Sequence, residues 1–161
     1  MRVQTLTIRD FPVGRFVFFV SGNVHKFNEV RRVLAECGIA SAMLRVKTTE
    51  IQDDNVENIA KVSALEASKK SNLPLIVEDA GLFIRALKGF PGPYSSYVLR
   101  TIGNEGVLKI MASLDDQYAQ FHSAVVFCSS SLSVKCFLGV SEGKIAQEAR
   151  GSSGFGFDPI F

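Results

Sequence analysis

The chain has 161 residues, of which 47% are hydrophobic and 21% charged, with 13 glycines and 5 prolines. These values exclude a disordered, collagen-like or low-complexity polypeptide and fit one ordinary domain with a sizeable core. Eighteen basic residues against 16 acidic leave a formal charge of +2, too small to make nucleic acid or a membrane surface the expected partner.

After a leader, Met1 to Gly14, the run Arg15 to Ser21 reads as a buried strand, continuous, aromatic and β-branched. Phe27, Val30, Val33, Leu34 and Cys37 then recur at helical spacing, with Gly38 as the stop. Ala42 to Lys47 predicts a second strand. A polar stretch leads into a helix from about Val56 to Lys70, with Ile59, Val62 and Leu65 inward. Leu73 to Glu78 reads as a third strand, bounded by Asp79 and Gly81. Phe90 to Pro93 is a turn. One or two helical segments follow between Tyr97 and Leu114, and from Ala119 the alternation predicts an antiparallel meander of three strands, the last over Gly143 to Ala149. Strands alternating with helices early and a meander late give an α/β fold with a twisted mixed sheet.

Cys37, Cys128 and Cys136 are odd in number and lack Cys-x-x-Cys spacing, so neither a disulfide framework nor a zinc site is expected. The apolar run Phe16 to Val20 is too short for a bilayer and lacks the flanks of a signal peptide. A cytoplasmic location is the expectation.

Four stretches carry candidate chemistry. Ser21-Gly22-Asn23-Val24-His25-Lys26 lies between a strand and a helix, where backbone N–H groups and a first-turn lysine suit an anion. From these residue types alone an ordinary capped turn, with Asn23 near the cap and Lys26 solvated, is the more common arrangement. The acids Glu50, Asp53, Asp54, Glu57, Glu78 and Asp79 offer oxygen ligands for magnesium, which takes one or two carboxylates plus phosphates. For Glu50 to Glu57 the alternative is a solvated helix entry favoured by the helix dipole, the reading preferred for Asp53 and Asp54, and for Asp79 it is a turn role. Adjacent strand residues point to opposite faces, so one of Glu78 and Asp79 should face a given site. Phe90 to Tyr97 forms a rigid aromatic turn with Ser95 near a helix cap. Gly151 to Pro159 sets glycines around Phe155 and Phe157 beside Asp158, a composition suited to stacking a flat base, or simply to closing the meander. His122, in an alternating strand, reads as a packing or surface residue, and no nucleophilic triad is present.

Taken in order, these stretches resemble the inosine triphosphate pyrophosphatase family. The motifs are Ser21-Gly22-Asn23-Val24-His25-Lys26, Glu50-Ile51-Gln52 with Lys61 on the next helix, Glu78-Asp79-Ala80-Gly81-Leu82, Phe90 to Ser95, and Phe155 to Phe161. The resemblance runs from about Phe16 to Phe161. It implies two lobes around a long mixed sheet, with a nucleotide cleft between them, and a homodimer. The implied reaction is hydrolysis of ITP, dITP or XTP to the monophosphate and pyrophosphate with Mg2+. By the same resemblance, Lys26, Lys61 and the loop Ser21 to Lys26 clamp the triphosphate. Glu50 and Asp79 hold the metal, and Asp79 orients and deprotonates the attacking water. Ala80 lies against the substrate, Phe155 stacks on the purine, and Gly156, Phe157 and Asp158 complete that wall. Members of the family continue past the last motif into a Ser-His-Arg segment that reads the purine edge. The present sequence holds no such motif, so a single domain over residues 1–161 lacking that segment is expected. The competing expectations are a nucleotide-binding remnant with weak or unselective activity and a Maf-type nucleotide pyrophosphatase.

Overall fold

The computed structural model describes residues 15–49, 51–152 and 154–161; the leader Met1 to Gly14 and Glu50 lie outside them. In chain order the elements are β1 (Phe16–Val20), α1 (Val24–Glu36), β2 (Ala40–Leu44), α2 (Val56–Ser71), β3 (Leu75–Ile84), β4 (Pro91–Gly92), α3 (Ser95–Thr101), α4 (Gly103–Met111), β5 (Tyr118–Cys128) and β6 (Val134–Lys144). The sheet order is β2-β1-β3-β5-β6, with β4 pairing β3. The β1–β2 and β1–β3 pairs are parallel; β3–β5 and β5–β6 are antiparallel.

Two cores form on opposite faces and at opposite ends of the same long strands. At one end, Leu75 and Val77 of β3 with Ala124, Val126 and Cys128 of β5 pack beneath α2. At the other, Leu82 and Ile84 with Ala119 pack against Val98 of α3, Val107 and Met111 of α4, and Phe157 and Ile160 near the C-terminal end. Successive strand residues face opposite ways, so a strand that feeds both cores must switch its buried set midway. That switch falls between Val77 and Leu82, and it makes the molecule two-lobed.

The second strand lies at Ala40–Leu44 rather than Ala42 to Lys47, and the expected turn contributes the short strand Pro91–Gly92 to the sheet. Three further elements depart from the sequence expectation. The third strand does not stop at Glu78 but runs ten residues to Ile84, because β5 pairs it without interruption from Leu75↔Cys128 to Ile84↔Ala119. Gly81, read as a boundary, is a packing requirement: a Cβ there would collide with the Gly92 carbonyl oxygen of β4. Helix α2 turns its alanines inward. Val56, Ala60, Ala64, Ala67 and Ser68 are buried, whereas Val62 is exposed; small side chains let the helix sit close on the sheet. The third meander strand is absent among the described residues. Strand β6 extends to Lys144, and the chain beyond it is irregular, tied by Ala146 N–H to Ile160 and Arg150 N–H to Pro159.

Candidate active site

Strand β1 ends at Val20, opposite Val77, while β3 continues. On that side β3 next meets a strand at Leu82 and Phe83, through β4. Among the described residues no strand covers this edge of β3 over residues 78–81, leaving a notch in the sheet between β1 and β4. The loop Ser21 to Lys26 leaves β1 at this notch, and Glu78, Asp79 and Ala80 form its floor. Open α/β sheets gather ligands where a strand ends and its neighbour runs on.

Alternation divides the two carboxylates. Glu78 faces the α1 side, where its Oε2 lies 2.8 Å from Lys26 Nζ and its Oε1 accepts a hydrogen bond from Ser123 Oγ at 2.9 Å. The Glu78 side chain is only 9% exposed and Lys26 25%. Asp79, between buried neighbours of the α2 core and opposite Ala124, faces the α2 side, with its Oδ2 buried. The structure thus brings Lys26 to Glu78, a contact that residue types alone did not reveal. It follows from the parallel β1–β3 register, which places the residue after Val77 beneath the loop after Val20.

The loop is built by its own side chains. Asn23 Oδ1 accepts the N–H groups of His25 (2.9 Å) and Lys26 (3.3 Å), capping α1, and Asn23 N–H is donated to Ser21 Oγ at 2.9 Å. Both readings of this stretch therefore meet in it: a capped helix start that also presents a lysine. Gly22 has nothing within 4 Å of where a Cβ would stand and no left-handed φ. The fold itself does not demand glycine there.

Phe155 of the glycine-rich loop reaches the same region, its ring stacked on His25 with centroids 5.7 Å apart and planes at 29°. Asn104 Nδ2 of α4 donates to the Gly156 carbonyl at 3.0 Å and steadies this loop. Two residues of the expected base-binding wall also have internal partners. Phe157 is buried, at 3% exposure, in the core with α3 and α4, supporting the loop from behind. Asp158 Oδ2 accepts Phe155 N–H at 2.7 Å, fixing the turn that holds that ring. Ser95 stands at the first position of α3, next to the N-cap Tyr94. Its Oγ donates to the Gly92 carbonyl and accepts Leu82 N–H, stitching the proline turn to β3.

Lys61 lies on α2, close enough to Cys136 for its charge to act on that thiol, whose pKa burial nevertheless raises. Asp53 is absorbed in the start of α2: its carboxylate accepts Asn55 N–H and the Asn58 amide, while Asn55 caps the helix. His122 stacks on Phe83 with centroids 4.3 Å apart, a packing role in keeping with its alternating strand. Glu50 lies outside the described residues. Among those described, no three His, Cys, Asp or Glu side chains converge as a metal cluster. Asp79 supplies a carboxylate of the kind magnesium takes when phosphates complete its shell. No helix among the described residues is long and apolar enough to cross a membrane.

A two-lobed mixed sheet with a lysine-bearing loop and an acidic strand at its notch defines an α/β protein arranged to receive an anionic ligand. The model of the Ham1 family matches residues 17–161, and the chain belongs to that family. It is 48% identical over 145 residues to the dITP/XTP pyrophosphatase of Methanothermobacter marburgensis, covering 90% of this chain and 77% of the relative. The dITP/XTP pyrophosphatase of Ignicoccus hospitalis is 47% identical over 150 residues, covering 92% and 80%. Among solved structures, a HAM1 protein from Coxiella burnetii superposes with a TM-score of 0.77 at 29% identity, covering 91% of this chain and 80% of that one.

Proposed function

We propose that this protein hydrolyses non-standard purine nucleoside triphosphates, of the dITP and XTP kind, to the monophosphate and pyrophosphate. The observation that carries the reading is the notch at β3, where the uncovered edge between β1 and β4 lies beside Gly22, the Lys26–Glu78 pair on one face and Asp79 on the other. A triphosphate is a dense anion, and a fixed cation above a capped helix start lowers the energy of charge building on the leaving phosphates. The relatives named dITP/XTP pyrophosphatase support this chemistry over a binding remnant or a Maf-type enzyme.

Asp79 orients and deprotonates the water that attacks the α-phosphorus, and Lys26 and Lys61 hold the phosphates. Asp79 with Glu50 would hold Mg2+, which when bound neutralises phosphate charge and draws electron density from phosphorus. Phe155 stacks on the purine, for which the His25 ring must yield or slide, since a base between two rings needs about 7 Å. A homodimer working in the cytoplasm completes the reading.

The test is turnover of dITP, ITP, XTP, GTP and ATP with Mg2+, separating pyrophosphate from orthophosphate. Pyrophosphate chiefly from dITP, ITP and XTP is expected; orthophosphate release, or no turnover with nucleotide still bound, would sink the reading. Asp79→Asn should lower kcat by about 100-fold or more with the melting temperature preserved. Undiminished turnover in that variant removes Asp79 from the mechanism.

A further inference from the structure

We propose that Glu78 and Ser123 are positioning residues for Lys26: the carboxylate holds the ammonium at the notch, and the serine hydroxyl holds the carboxylate. The inference rests on the pyrophosphatase reading above.

Three elements converge on this relay. Lys26 stands in the first turn of α1, Glu78 midway along β3, and Ser123 on β5, where its register partner is Ala80 and that of Glu78 is Val125. Ser123 is therefore the diagonal cross-strand neighbour of Glu78 on the same face, within reach of a side-chain hydrogen bond. Each Glu78 oxygen has its own partner, Lys26 at 2.8 Å and Ser123 at 2.9 Å. That fixes the plane of the carboxylate as well as its place. A lysine on a flexible four-carbon stem is otherwise a poorly located charge. Held by a buried acid, its Nζ is confined to one point beside the phosphate path, and confinement of this kind favours the transition state over the ground state. The same acid competes with incoming phosphate for Lys26. Its contribution is thus differential: it weakens ground-state anion binding while sharpening alignment during reaction.

Glu78→Gln keeps the shape and removes the charge. The expected result is a fall in kcat of roughly 10- to 100-fold with KM unchanged or lowered. Ser123→Ala should show the same split at about threefold, and Ser123→Thr, which keeps the hydroxyl, should restore it. A structural role alone would lower the melting temperature without separating kcat from KM. Calorimetric binding of inorganic tripolyphosphate supplies a second readout that needs no turnover. Glu78→Gln should bind it several-fold more tightly, and that gain should disappear when Lys26→Met is already present. Unchanged kcat in Glu78→Gln, or an equal gain in tripolyphosphate binding with and without Lys26, overturns the proposal. Should the wild-type protein release no pyrophosphate, the functional reading fails alone, and the binding cycle still decides whether Glu78 governs Lys26. If Glu78→Gln does not fold, the serine pair carries the same test.

Discussion

The two cores solve the same problem with opposite materials. Beneath α2 the contact is made by Ala60, Ala64, Ala67 and Ala124 against Leu75 and Val77. Beneath α3 and α4 it is made by Leu82, Ile84, Val107, Met111, Phe157 and Ile160. A core of small residues brings backbones together and leaves no room for growth; a core of large ones depends on each side chain to fill its share of volume. The first should be damaged by enlargement and the second by truncation. The site lies where one gives way to the other, which is why its acids occupy strand positions that neither core claims.

The largest expected effect is in the large-residue core. Ile84→Ala removes a fully buried side chain and should cost about 2–5 kcal/mol, read from urea unfolding. A cost below about 1 kcal/mol would show that the core beneath α3 and α4 collapses around the gap and that the contrast is overstated. Next comes enlargement of the small-residue core: Ala64→Leu, also at a fully buried position, should cost about 1–3 kcal/mol by lifting α2 from the sheet. An unchanged midpoint would mean that α2 is not seated tightly.

The smallest effect lies outside both cores. Arg85, just past β3, forms a two-pronged pair with Asp116, just before β5, with Nε–Oδ2 at 2.6 Å and Nη2–Oδ1 at 2.8 Å. The guanidinium, aided by Tyr118 N–H, lowers the Asp116 pKa from 3.8 to about 2. A folded-state value below the unfolded one means that the pair contributes above the unfolded value and loses its contribution as pH falls through the folded one. Wild type should therefore melt slightly higher than Asp116→Asn at neutral pH, and the difference should close between about pH 4 and pH 2. A gap that persists below that window would assign the effect to something other than the ion pair.

Much of this arrangement is legible in the residues. The strand–loop–helix unit around Ser21 to Lys26, the helix stop at Gly38 and the order of elements all follow from local pattern. What failed did so where a distant partner overrides it. Asp79 and Gly81 look like a strand end, yet β5 pairs straight through them, and Gly81 is explained by a carbonyl of β4 that sequence cannot place. In α2, weighting residues by hydrophobicity selects Ile59, Val62 and Leu65; Leu65 does pack against the core, but the sheet selects for closeness, buries the alanines and leaves Val62 exposed. The Glu78–Lys26 contact depends on strand register, and Ser123 carries no local signal of its part in it. For Phe157 and Asp158 the residue types suggest ligand groups, and the structure adds what the pattern does not show: one packs in the core behind the loop and the other ties the turn.

The unbroken ladder of β3 with β5 also decides how the molecule can move. Domains joined by linkers close like jaws, rotating about a few backbone torsions. Here ten consecutive residue pairs, from Leu75↔Cys128 to Ile84↔Ala119, run through both lobes, so a jaw motion would have to bend or break a hydrogen-bonded sheet. Relative rotation of the two lobes is therefore opposed by the sheet itself, and any adjustment of the site has to come from its side chains and loops.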